Sequence, residues 1–442
     1  MQKYRPYIGI ILSILFIALC STTQVKTLLS LPDTQRLVVG ETSNISFNFP
    51  AAIDEKLQML VMEPSQSVFA SPDDPTISIT KNSDGYEIAA LKPGTAHVQL
   101  KLLGYIPIKS IAIESIPPRR VVVGGHSIGV LLQSRGIMVV GFAPVVGTDG
   151  QKLYPAKEQG IEIGDLIMKV NGKNITNEND LARIIDESKD KKIDFTVKRR
   201  GKTMNFSIKP EYCPETQRNR IGLYVRDGVV GVGTLSFWDP ETKEYAALGH
   251  IIMDADTKQG IDVLKGKIVS ASIQTIKPGK PGKPGEKIGV FNSEGDIEGN
   301  ITKNTYFGIF GTTEDEIVNP LVNYTMEVGY AHQVEVGKAE IYTVVNGDDI
   351  ERFEIEIEKV YPERENGKGM VIKVTDPRLL SLTGGIIQGM SGSPIVQNSR
   401  IVGAVTHVFL NDPVRGYGIF MDNMLSELPS MSNEDLKVST NY

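Results

Sequence analysis

The chain has 442 residues, too many for one ordinary core, and its length suggests about three domains. A content of 40% hydrophobic residues with 43 Gly and 24 Pro is typical of a folded, loop-rich protein dominated by β-structure. The net charge of −6 gives no electrostatic basis for binding nucleic acid. Two isolated cysteines exclude a disulfide framework and do not form a metal site, and no metal or cofactor is predicted.

The N-terminal segment, residues 1–28, is predicted to be a signal peptide or a short membrane anchor. Lys3 and Arg5 precede an apolar run from Ile8 to Leu19. This run is shorter than the roughly 20 apolar residues of a full spanning helix. A basic start followed by a short apolar run is typical of an export signal. We therefore expect the rest of the chain to be exported across the cytoplasmic membrane and either anchored there or released.

Residues 31–117 are predicted to form a β-sandwich. Short alternating segments such as Asn44 to Phe49 and Ile108 to Ile113 are separated by turn residues. The stretch Lys92-Pro-Gly-Thr-Ala-His-Val98 resembles the late strands of bacterial Ig-like domains. An Ig-like β domain is therefore expected, and its simplest role is that of a spacer.

Residues 124–212 resemble a PDZ domain of the bacterial, protease-linked type. The resemblance depends on Ser127-Ile128-Gly129-Val130, on Gly164 to Ile167 and on Val170-Asn-Gly172. It implies that amides around Ser127, Ile128, Gly129 and Val130 capture a peptide carboxylate, with the peptide added to the adjacent strand edge. The ligand could belong to another protein or to this chain itself. The alternative is a degenerate PDZ fold that serves only as a scaffold.

A helix is expected within this domain, after its central strands. The segment from Asn179 to Ser188 has Leu181, Ile184 and Ile185 on one face, and Asn179 is a suitable N-cap. The sequence therefore predicts one amphipathic helix packed against the sheet.

Residues 218–428 are predicted to form a β-barrel domain, or two small barrels, followed by a tail at 429–442. The segment is rich in strand residues with Gly and Pro between them. Ala339 to Val345 and Arg352 to Val360, joined across Asn346-Gly347, predict a β-hairpin.

The stretch Gly389-Met390-Ser391-Gly392-Ser393-Pro394 has the pattern of a serine peptidase nucleophile loop. Small residues on both sides of Ser391 allow a tight turn that can direct backbone N–H groups at a substrate carbonyl. By analogy with such loops, Gly389 and Ser391 are the expected oxyanion donors. Ser393 is a less suitable nucleophile and is expected to brace the loop.

A serine hydroxyl needs a base, and His250 is the predicted one. It ends the strand-like run Tyr245 to His250, in a context that resembles the histidine-bearing hairpin of chymotrypsin-like folds. The alternative is a histidine buried in a core for packing alone. In chymotrypsin-like peptidases the strand after the nucleophile hairpin pairs with substrate, so Thr406, His407 and Val408 are expected to line the substrate cleft.

The residues alone leave the orienting acid of the triad undecided. Six aspartates lie between the predicted base and nucleophile: Asp254, Asp256, Asp262, Asp348, Asp349 and Asp376.

The whole arrangement resembles the stage IV sporulation protein B peptidase family of spore-forming bacteria. The resemblance depends on the N-terminal apolar segment, the PDZ-like segment, Leu248-Gly-His250, Thr375-Asp-Pro377 and the loop around Ser391. It implies a mainly β chain in which a membrane segment, an Ig-like β-sandwich and a PDZ domain precede a chymotrypsin-like β-barrel serine peptidase domain. It also implies a triad of Ser391, His250 and Asp376, although a turn-forming role before Pro377 is the alternative for Asp376.

The family resemblance further implies a membrane-associated serine endopeptidase of sporulation signalling. Such an enzyme is exported from the forespore into the space between two membranes. There it cuts a regulator of an intramembrane protease complex, which triggers processing of a late sigma factor, and it cleaves itself. Two alternatives remain: a non-catalytic PDZ scaffold at the spore membrane, and a quality-control protease of the high-temperature-requirement type. Domain order is against the latter, because here the PDZ-like segment comes first.

Overall fold

The computed structural model describes residues 22, 33–46, 54–62, 75–82, 85–292, 295–362, 364 and 366–428. The predicted tail, 429–442, and all of the predicted membrane segment except Thr22 lie outside these residues. Within the described ranges no helix combines the length and apolar character that crossing a membrane requires. The fold class is mainly β, as predicted. The chain divides after Arg119 into two compact units.

The first unit is built of two sheets that share one apolar core. One sheet has the strand order β1 (Thr34–Val38), β7 (Ile106–Ile116), β6 (Gly94–Leu102), β3 (Leu57–Met62), and the other has the order β2 (Thr42–Ser46), β5 (Gly85–Ala90), β4 (Ile77–Asn82). Leu37, Ile88 and Ile113, from strands of both sheets, have no exposed surface. Alternation of such buried residues with polar ones produces this two-layer arrangement.

The second unit contains the predicted PDZ domain and the predicted barrel. Its elements up to the end of the PDZ part are β8 Arg120–Val123, β9 Ser127–Phe142, β10 Val145–Val146, β11 Lys152–Leu153, α1 Pro155–Glu158, β12 Leu166–Val170, β13 Lys173–Asn174, α2 Glu178–Glu187, β14 Ile193–Arg199, β15 Lys202–Ile208, β16 Glu211–Cys213 and β17 Arg218–Arg220.

The remaining elements build the barrel. They are β18 Leu223–Trp238, β19 Glu244–Ala247, β20 Val263–Lys277, β21 Glu286–Asn292, β22 Glu298–Asn300, β23 Lys303–Thr305, β24 Gly308–Thr312, β25 Met326–Val328, a short 3-10 helix Ala331–Gln333, β26 Gly337–Val344, β27 Ile350–Val360, β28 Met370–Val374, α3 Pro377–Thr383, β29 Pro394–Gln397, β30 Arg400–Phe409, β31 Asp412–Phe420 and α4 Met421–Leu425.

Three apolar cores organise this unit. The PDZ core packs the apolar face of α2, including Leu181, against strand residues such as Ile167 and Phe195. A second core surrounds the fully buried Tyr245 and is formed mainly by β9, β18, β19, β20 and β24. A third is formed mainly by residues of the successive strands β26 to β31, including Ile341, Phe353 and Ile372. The sheet of the barrel part closes on itself. The predicted hairpin is confirmed, since β26 and β27 pair antiparallel, from Gly337 with Ile357 to Val344 with Ile350.

Strands β9 and β18, each of 16 residues, are shared between the PDZ part and the barrel. The first half of β9 pairs with β20 and with the second half of β18. The second half of β9 pairs with β12 and with the first half of β18. A register shift separates the halves between Arg226 and Gly228 of β18, where the extra residues, 134–137, are in β9, and a Cβ at Gly228 would meet the Leu132 carbonyl oxygen at 2.3 Å. The PDZ domain is therefore inserted into the barrel.

This insertion differs from the predicted boundaries of 124–212 and 218–428. Residues 120–134 belong to the barrel sheet rather than to the PDZ domain, because β8 and the start of β9 pair with β18 and β20. The barrel therefore begins before the PDZ domain and resumes after it.

Candidate active site

The nucleophile loop, residues 384–393, is fixed to the end of β18. The Thr234 amide donates to the Ser391 carbonyl at 3.0 Å, and the Thr234 hydroxyl donates to the Gly389 carbonyl at 2.7 Å. The Ser236 hydroxyl donates to the Gly392 carbonyl at 2.8 Å. Gly392 has φ +94°, and a Cβ there would meet the Thr234 carbonyl oxygen at 2.1 Å. These contacts explain why small residues surround Ser391.

The loop leaves the two predicted oxyanion donors available. The amides of Met390, Gly392 and Ser393 donate to carbonyls of Ile387, Val405 and Met390, respectively. By contrast, the amides of Gly389 and Ser391 donate no hydrogen bond to any described residue. Buried or half-buried amides are normally paired, so such a pair beside a hydroxyl is suited to a substrate oxyanion.

His250 is presented by a strained turn after β19. Leu248, with φ +69°, and Gly249, with φ +70°, lead into it, and a left-handed conformation is unfavourable for the buried Leu248 side chain. A Cβ at Gly249 would meet Thr406 Cγ2 at 2.9 Å, so the turn packs closely on β30. The short hairpin of β18 and β19 ends at the nucleophile loop, and this places His250 beside that loop.

The hydrogen bond of His250 gives the ring the protonation pattern of a base. Its Nδ1 lies 2.9 Å from the Ile251 carbonyl oxygen, which can only accept, so Nδ1 carries the proton. Nε2 therefore keeps its lone pair. Burial lowers the pKa of His250, an effect that the bond to Ile251 partly offsets. The ring is thus neutral at neutral pH.

Ser391 and His250 both adjoin the Thr406–His407 segment of β30. The Ser391 hydroxyl donates to the Thr406 carbonyl at 2.9 Å, and the rings of His250 and His407 have centroids 5.2 Å apart. In the part of the chain that the structure describes, no hydrogen bond joins His250 to Ser391. The structure therefore brings the two predicted groups to adjacent residues of one strand, with the nucleophile hydroxyl held by a carbonyl.

The structure does not bring Asp376 to His250. Asp376 is the N-cap of α3, where its carboxylate accepts from the amides of Arg378 at 2.9 Å and Leu379 at 3.1 Å. The Glu354 amide lies 3.4 Å from its second oxygen. The turn-forming role before Pro377 is thus the one that these contacts describe. In the structure the Ile251 carbonyl, rather than Asp376, accepts from Nδ1 of His250. The role of Asp376 as triad acid stays a prediction.

Thr406, His407 and Val408 border an open strand edge, as a substrate-pairing segment must. On one side, β30 pairs with β31, including His407 with Tyr417. On the other side, β29 pairs with β30 only as far as Ala404. No described strand covers residues 406–408 on that side. Burial and the neighbouring His250 lower the pKa of His407 to about 4, so its ring is neutral.

The predicted peptide site at Ser127, Ile128, Gly129 and Val130 is wrong. These residues form the start of β9 and are paired with β18 on one side and β20 on the other. Ser127, Ile128 and Val130 are also buried. Amides within a central strand are already committed to its ladders and cannot capture a carboxylate.

A groove in the PDZ part lies elsewhere, between α2 and the start of β18. It has a volume of about 280 Å³ and is lined by Leu181, Ile185, Gly222, Leu223 and Val225 among others. Leu223 and Val225 pair with β9 on one side only, and α2 lies along the other. An open strand edge beside an apolar helix is suited to an added peptide strand.

Lys287, which lies beside the nucleophile loop, is a residue that sequence reasoning missed. It lies on β21 with 5% of its surface exposed, and its Nζ is 2.7 Å from the Thr343 hydroxyl. Burial lowers its pKa to about 7. A lysine in an alternating strand pattern gives no sequence signal of this kind, since most strand lysines face solvent. Among the described residues, no group of His, Cys, Asp and Glu side chains is arranged to hold a metal ion.

Two family models match this chain. Residues 217–425 match the model described as SpoIVB peptidase S55, and residues 148–199 match the model described as PDZ domain. Among solved structures, the PDZ domain of the SdrC-like protein from Listeria monocytogenes has 21% identity and a TM-score of 0.18, covering 21% of this chain and 90% of that one. The Rv3671c protease, inactive form, has 12% identity and a TM-score of 0.24, and the match covers 46% of this chain and 84% of that one.

The curated relatives match over shorter lengths. A putative zinc metalloprotease of Treponema pallidum (strain Nichols) is 25% identical over 160 residues, which are 34% of this chain and 36% of that protein. The regulator of sigma-W protease RasP of Bacillus subtilis (strain 168) is 31% identical over 81 residues, 18% and 19% of the two chains. The chain thus spans about a third or less of the length of these relatives.

The matched ranges coincide with the groove-bearing part and with most of the barrel. The range 217–425 contains His250, Ser391 and the fixed loop between Gly389 and Ser393. The chain therefore carries a PDZ domain and a serine peptidase domain, the latter similar to the SpoIVB peptidase S55 family over residues 217–425.

Proposed function

We propose that the chain is a serine endopeptidase in which Ser391 is the nucleophile and His250 the general base. The observation that carries this proposal is the unused pair of amides at Gly389 and Ser391, held beside the Ser391 hydroxyl by Thr234. The neutral His250 ring, with its lone pair on Nε2, adjoins the same segment of β30.

In the proposed reaction the Ser391 hydroxyl leaves the Thr406 carbonyl and turns toward Nε2 of His250. Its oxygen bonds to the substrate carbonyl carbon while its proton passes to Nε2. The carbonyl oxygen, now negative, accepts hydrogen bonds from the amides of Gly389 and Ser391. The C–N bond then breaks, and His250 gives the proton to the leaving amine. A water molecule repeats these steps on the acyl-enzyme and releases Ser391.

Asp376 is proposed as the acid that stabilises the imidazolium during these steps. Support comes from the family resemblance of Thr375-Asp-Pro377. In the resting arrangement, however, the carboxylate caps α3. The proposal therefore requires that the segment around His250 or the start of α3 rearranges when substrate binds. In the resting state the Ile251 carbonyl fixes the tautomer of His250.

The substrate is proposed to be a membrane-associated regulator of an intramembrane protease complex, cut during sporulation signalling in the space between the forespore membranes. The match of residues 217–425 to the SpoIVB peptidase S55 model supports this setting. The PDZ groove beside α2 is proposed to bind a peptide of that partner or of the chain itself, which would link recognition to cleavage. Self-cleavage is proposed on the same resemblance.

Purified wild type and Ser391→Ala proteins test these points together. Each is incubated alone and with the membrane regulator, and new N-termini are mapped. One or two discrete cuts that require Ser391 support the proposal. Broad degradation of unfolded casein would instead favour a quality-control protease.

A non-catalytic scaffold is the second candidate, favoured by one observation: the Ser391 hydroxyl is bonded to the Thr406 carbonyl and not to His250. A fluorophosphonate probe separates the two functions. Labelling of Ser391 that is lost in His250→Ala supports the enzyme, whereas an unlabelled wild type supports the scaffold.

A further inference from the structure

Lys287 is a buried amine with an unusual lack of charged partners. Its side chain is 5% exposed, and its Nζ contacts only the Thr343 hydroxyl, at 2.7 Å, among the hydrogen bonds and ion pairs of the described residues. A buried lysine normally pairs with a carboxylate, because desolvation strongly disfavours its charged form. Its presence therefore destabilises the fold unless the amine is neutral.

This lysine lies directly against the nucleophile loop. Its amide donates to the Gln388 carbonyl at 2.9 Å, and the Gln388 amide donates to the Gly285 carbonyl at 2.9 Å. A Cβ built on Gly389 would lie 3.0–3.2 Å from Cβ, Cγ and Cδ of Lys287. The stem of Lys287 thus forms the wall behind Gly389, one of the two predicted oxyanion donors.

The head group of Lys287 reaches the far end of the same loop. The Ser393 hydroxyl lies 2.9 Å from the Thr343 hydroxyl, which in turn contacts Lys287, and both hydroxyl residues are fully buried. Lys287 therefore contacts Gln388 and Gly389 on one side of Ser391 and is connected through Thr343 to Ser393 on the other.

Both hydroxyl protons of this hydrogen-bond chain have an acceptor within it only when the amine is neutral. A charged ammonium donates but cannot accept, so one of the two hydroxyl protons is left without an acceptor, whichever way the hydroxyls turn. A neutral amine accepts the Thr343 proton, and Ser393 then donates to Thr343. An unsatisfied buried donor is unfavourable, so protonation of Lys287 disrupts this brace.

We propose that Lys287, as a neutral amine, is a positioning residue that braces the nucleophile loop from behind and holds the Gly389 amide in its oxyanion-binding place. This inference rests on the proposed peptidase function and adds a residue to its machinery. Lys287 touches neither substrate nor Ser391 in this role, and acts through Gly389 and Ser393.

Charged groups on the surrounding elements do not compensate the amine. On its own strand Glu286 pairs with Lys277 of β20, and on β26 Glu340 pairs with Arg352 of β27. The nucleophile loop, residues 384–393, contains no ionisable side chain apart from its hydroxyls. Burial is therefore the cause that lowers the pKa of Lys287 to about 7.

The test uses the full chain with Lys287→Met, which keeps the length of the side chain and removes the amine. Lys283→Met, at an exposed position in the turn before β21, is the matched control. The rate of fluorophosphonate labelling at Ser391 and the kinetic constants for a cleaved peptide are measured from pH 5 to pH 9.

We expect Lys287→Met to fold, to melt at a higher temperature near pH 7, and to label about 10- to 100-fold more slowly, with kcat reduced and KM little changed. The wild type should lose activity as pH falls through about 7 with a component that Lys287→Met lacks. Lys283→Met should match wild type in every respect.

A Lys287→Met protein that labels at the wild-type rate with the wild-type pH profile overturns the inference. If Lys287→Met does not fold, Thr343→Val interrupts the same chain and is judged by the same rate and profile. Failure of the proposed function looks different, because then wild type itself shows no labelling that Ser391→Ala abolishes.

Discussion

Thr234 and Ser391 are joined by a backbone hydrogen bond of 3.0 Å, in which the Thr234 amide donates to the Ser391 carbonyl. The Thr234 hydroxyl also donates to the Gly389 carbonyl at 2.7 Å. One residue of β18 thus holds both members of the predicted oxyanion pair. Because β18 begins beside the PDZ groove, a single strand runs from that groove to the nucleophile loop.

Replacing Thr234 should reduce activity more than replacing its neighbour Ser236. Thr234→Val leaves the buried Gly389 carbonyl without a donor, which costs about 1–3 kcal/mol of unfolding free energy. It also frees Gly389, so we expect labelling of Ser391 to slow by about 10-fold or more. Ser236→Ala frees the Gly392 carbonyl, which belongs to no predicted oxyanion donor.

Ser236→Ala is therefore the matched control, and we expect a similar loss of stability with a smaller loss of labelling rate. Denaturant unfolding and fluorophosphonate kinetics give the two quantities. Equal effects of both variants on labelling would show that Thr234 has no special part in holding Gly389.

His250 and His407 should respond differently to removal of their rings. His250→Ala removes the proposed base, and we expect peptide cleavage to fall by about four orders of magnitude or more. His407→Ala removes a ring at the open edge of β30, and we expect activity to remain with changed subsite preference. Cleavage of a peptide library by both variants measures the difference. Retained activity in His250→Ala with loss in His407→Ala reverses the assignment.

Asp376→Asn separates the two roles of that residue. Asparagine caps a helix about as well as aspartate, so α3 and the melting temperature should be preserved. Removal of the charge should lower kcat by about 10⁴-fold if Asp376 is the triad acid. We expect this loss, measured on a cleaved peptide. Full activity in a stable variant would leave Asp376 as a cap alone and give the orienting role to the Ile251 carbonyl.

Because of Lys287, the stability of the protein should increase as the pH rises above about 7. Its pKa is about 7 in the folded chain, against the ordinary lysine value of 10.5 in the unfolded chain, so between these values the unfolded chain binds more protons. Stability therefore rises as pH increases from about 7 to 10, by about 3–5 kcal/mol from this group as an upper bound.

Denaturant unfolding of wild type and Lys287→Met across that range measures this contribution. Other titrating groups affect both proteins equally, so the difference between the two curves isolates the lysine. Parallel curves would indicate that Lys287 is charged in the folded chain.

The PDZ groove should bind peptides through α2 and β18. Ala182 is exposed and lines this groove, so Ala182→Trp should block it without disturbing the core. We expect binding of a labelled peptide with an apolar C-terminus to fall by at least 10-fold, measured by fluorescence polarisation. Arg183→Ala, on the same helix but not lining the groove, is the control. Unchanged binding in Ala182→Trp would place the peptide elsewhere.

The sequence was most informative where structure depends on local chemistry. The small residues around Ser391 form a short pattern that identifies the loop without knowledge of the fold, although Thr234 and Leu248, which a Cβ at Gly392 would meet, lie far away along the chain. The hairpin of β26 and β27 is likewise determined by two alternating segments and a glycine turn. The amphipathic helix α2 was also found, although its N-cap is Asn177, whose side chain accepts from the Asp180 amide, rather than Asn179.

The sequence was misleading where the partners of a strand decide its role. Ser127 to Val130 resembles a PDZ entry loop, but pairing with β18 and β20 places it inside the barrel. Such partners lie about a hundred residues away along the chain, and no local pattern specifies them. Asp376 shows the same limit, since Asp-Pro is equally suited to a cap and to a triad. Lys287 gives no signal at all, because its burial depends on β26 and the nucleophile loop together.

The sharing of β9 and β18 has a consequence for dissecting the protein. A shortened chain that starts at residue 218 lacks β8 and the first half of β9, and so leaves β18 and β20 with exposed, unsatisfied ladders. Such a fragment should aggregate rather than fold, and only removal of the inserted loop between the two long strands, with a tight turn in its place, could yield a free-standing hydrolase. Two continuous ribbons also exclude the loose tethering that a flexible linker gives, so any signal received at the insert must travel as a bend or twist of β-structure.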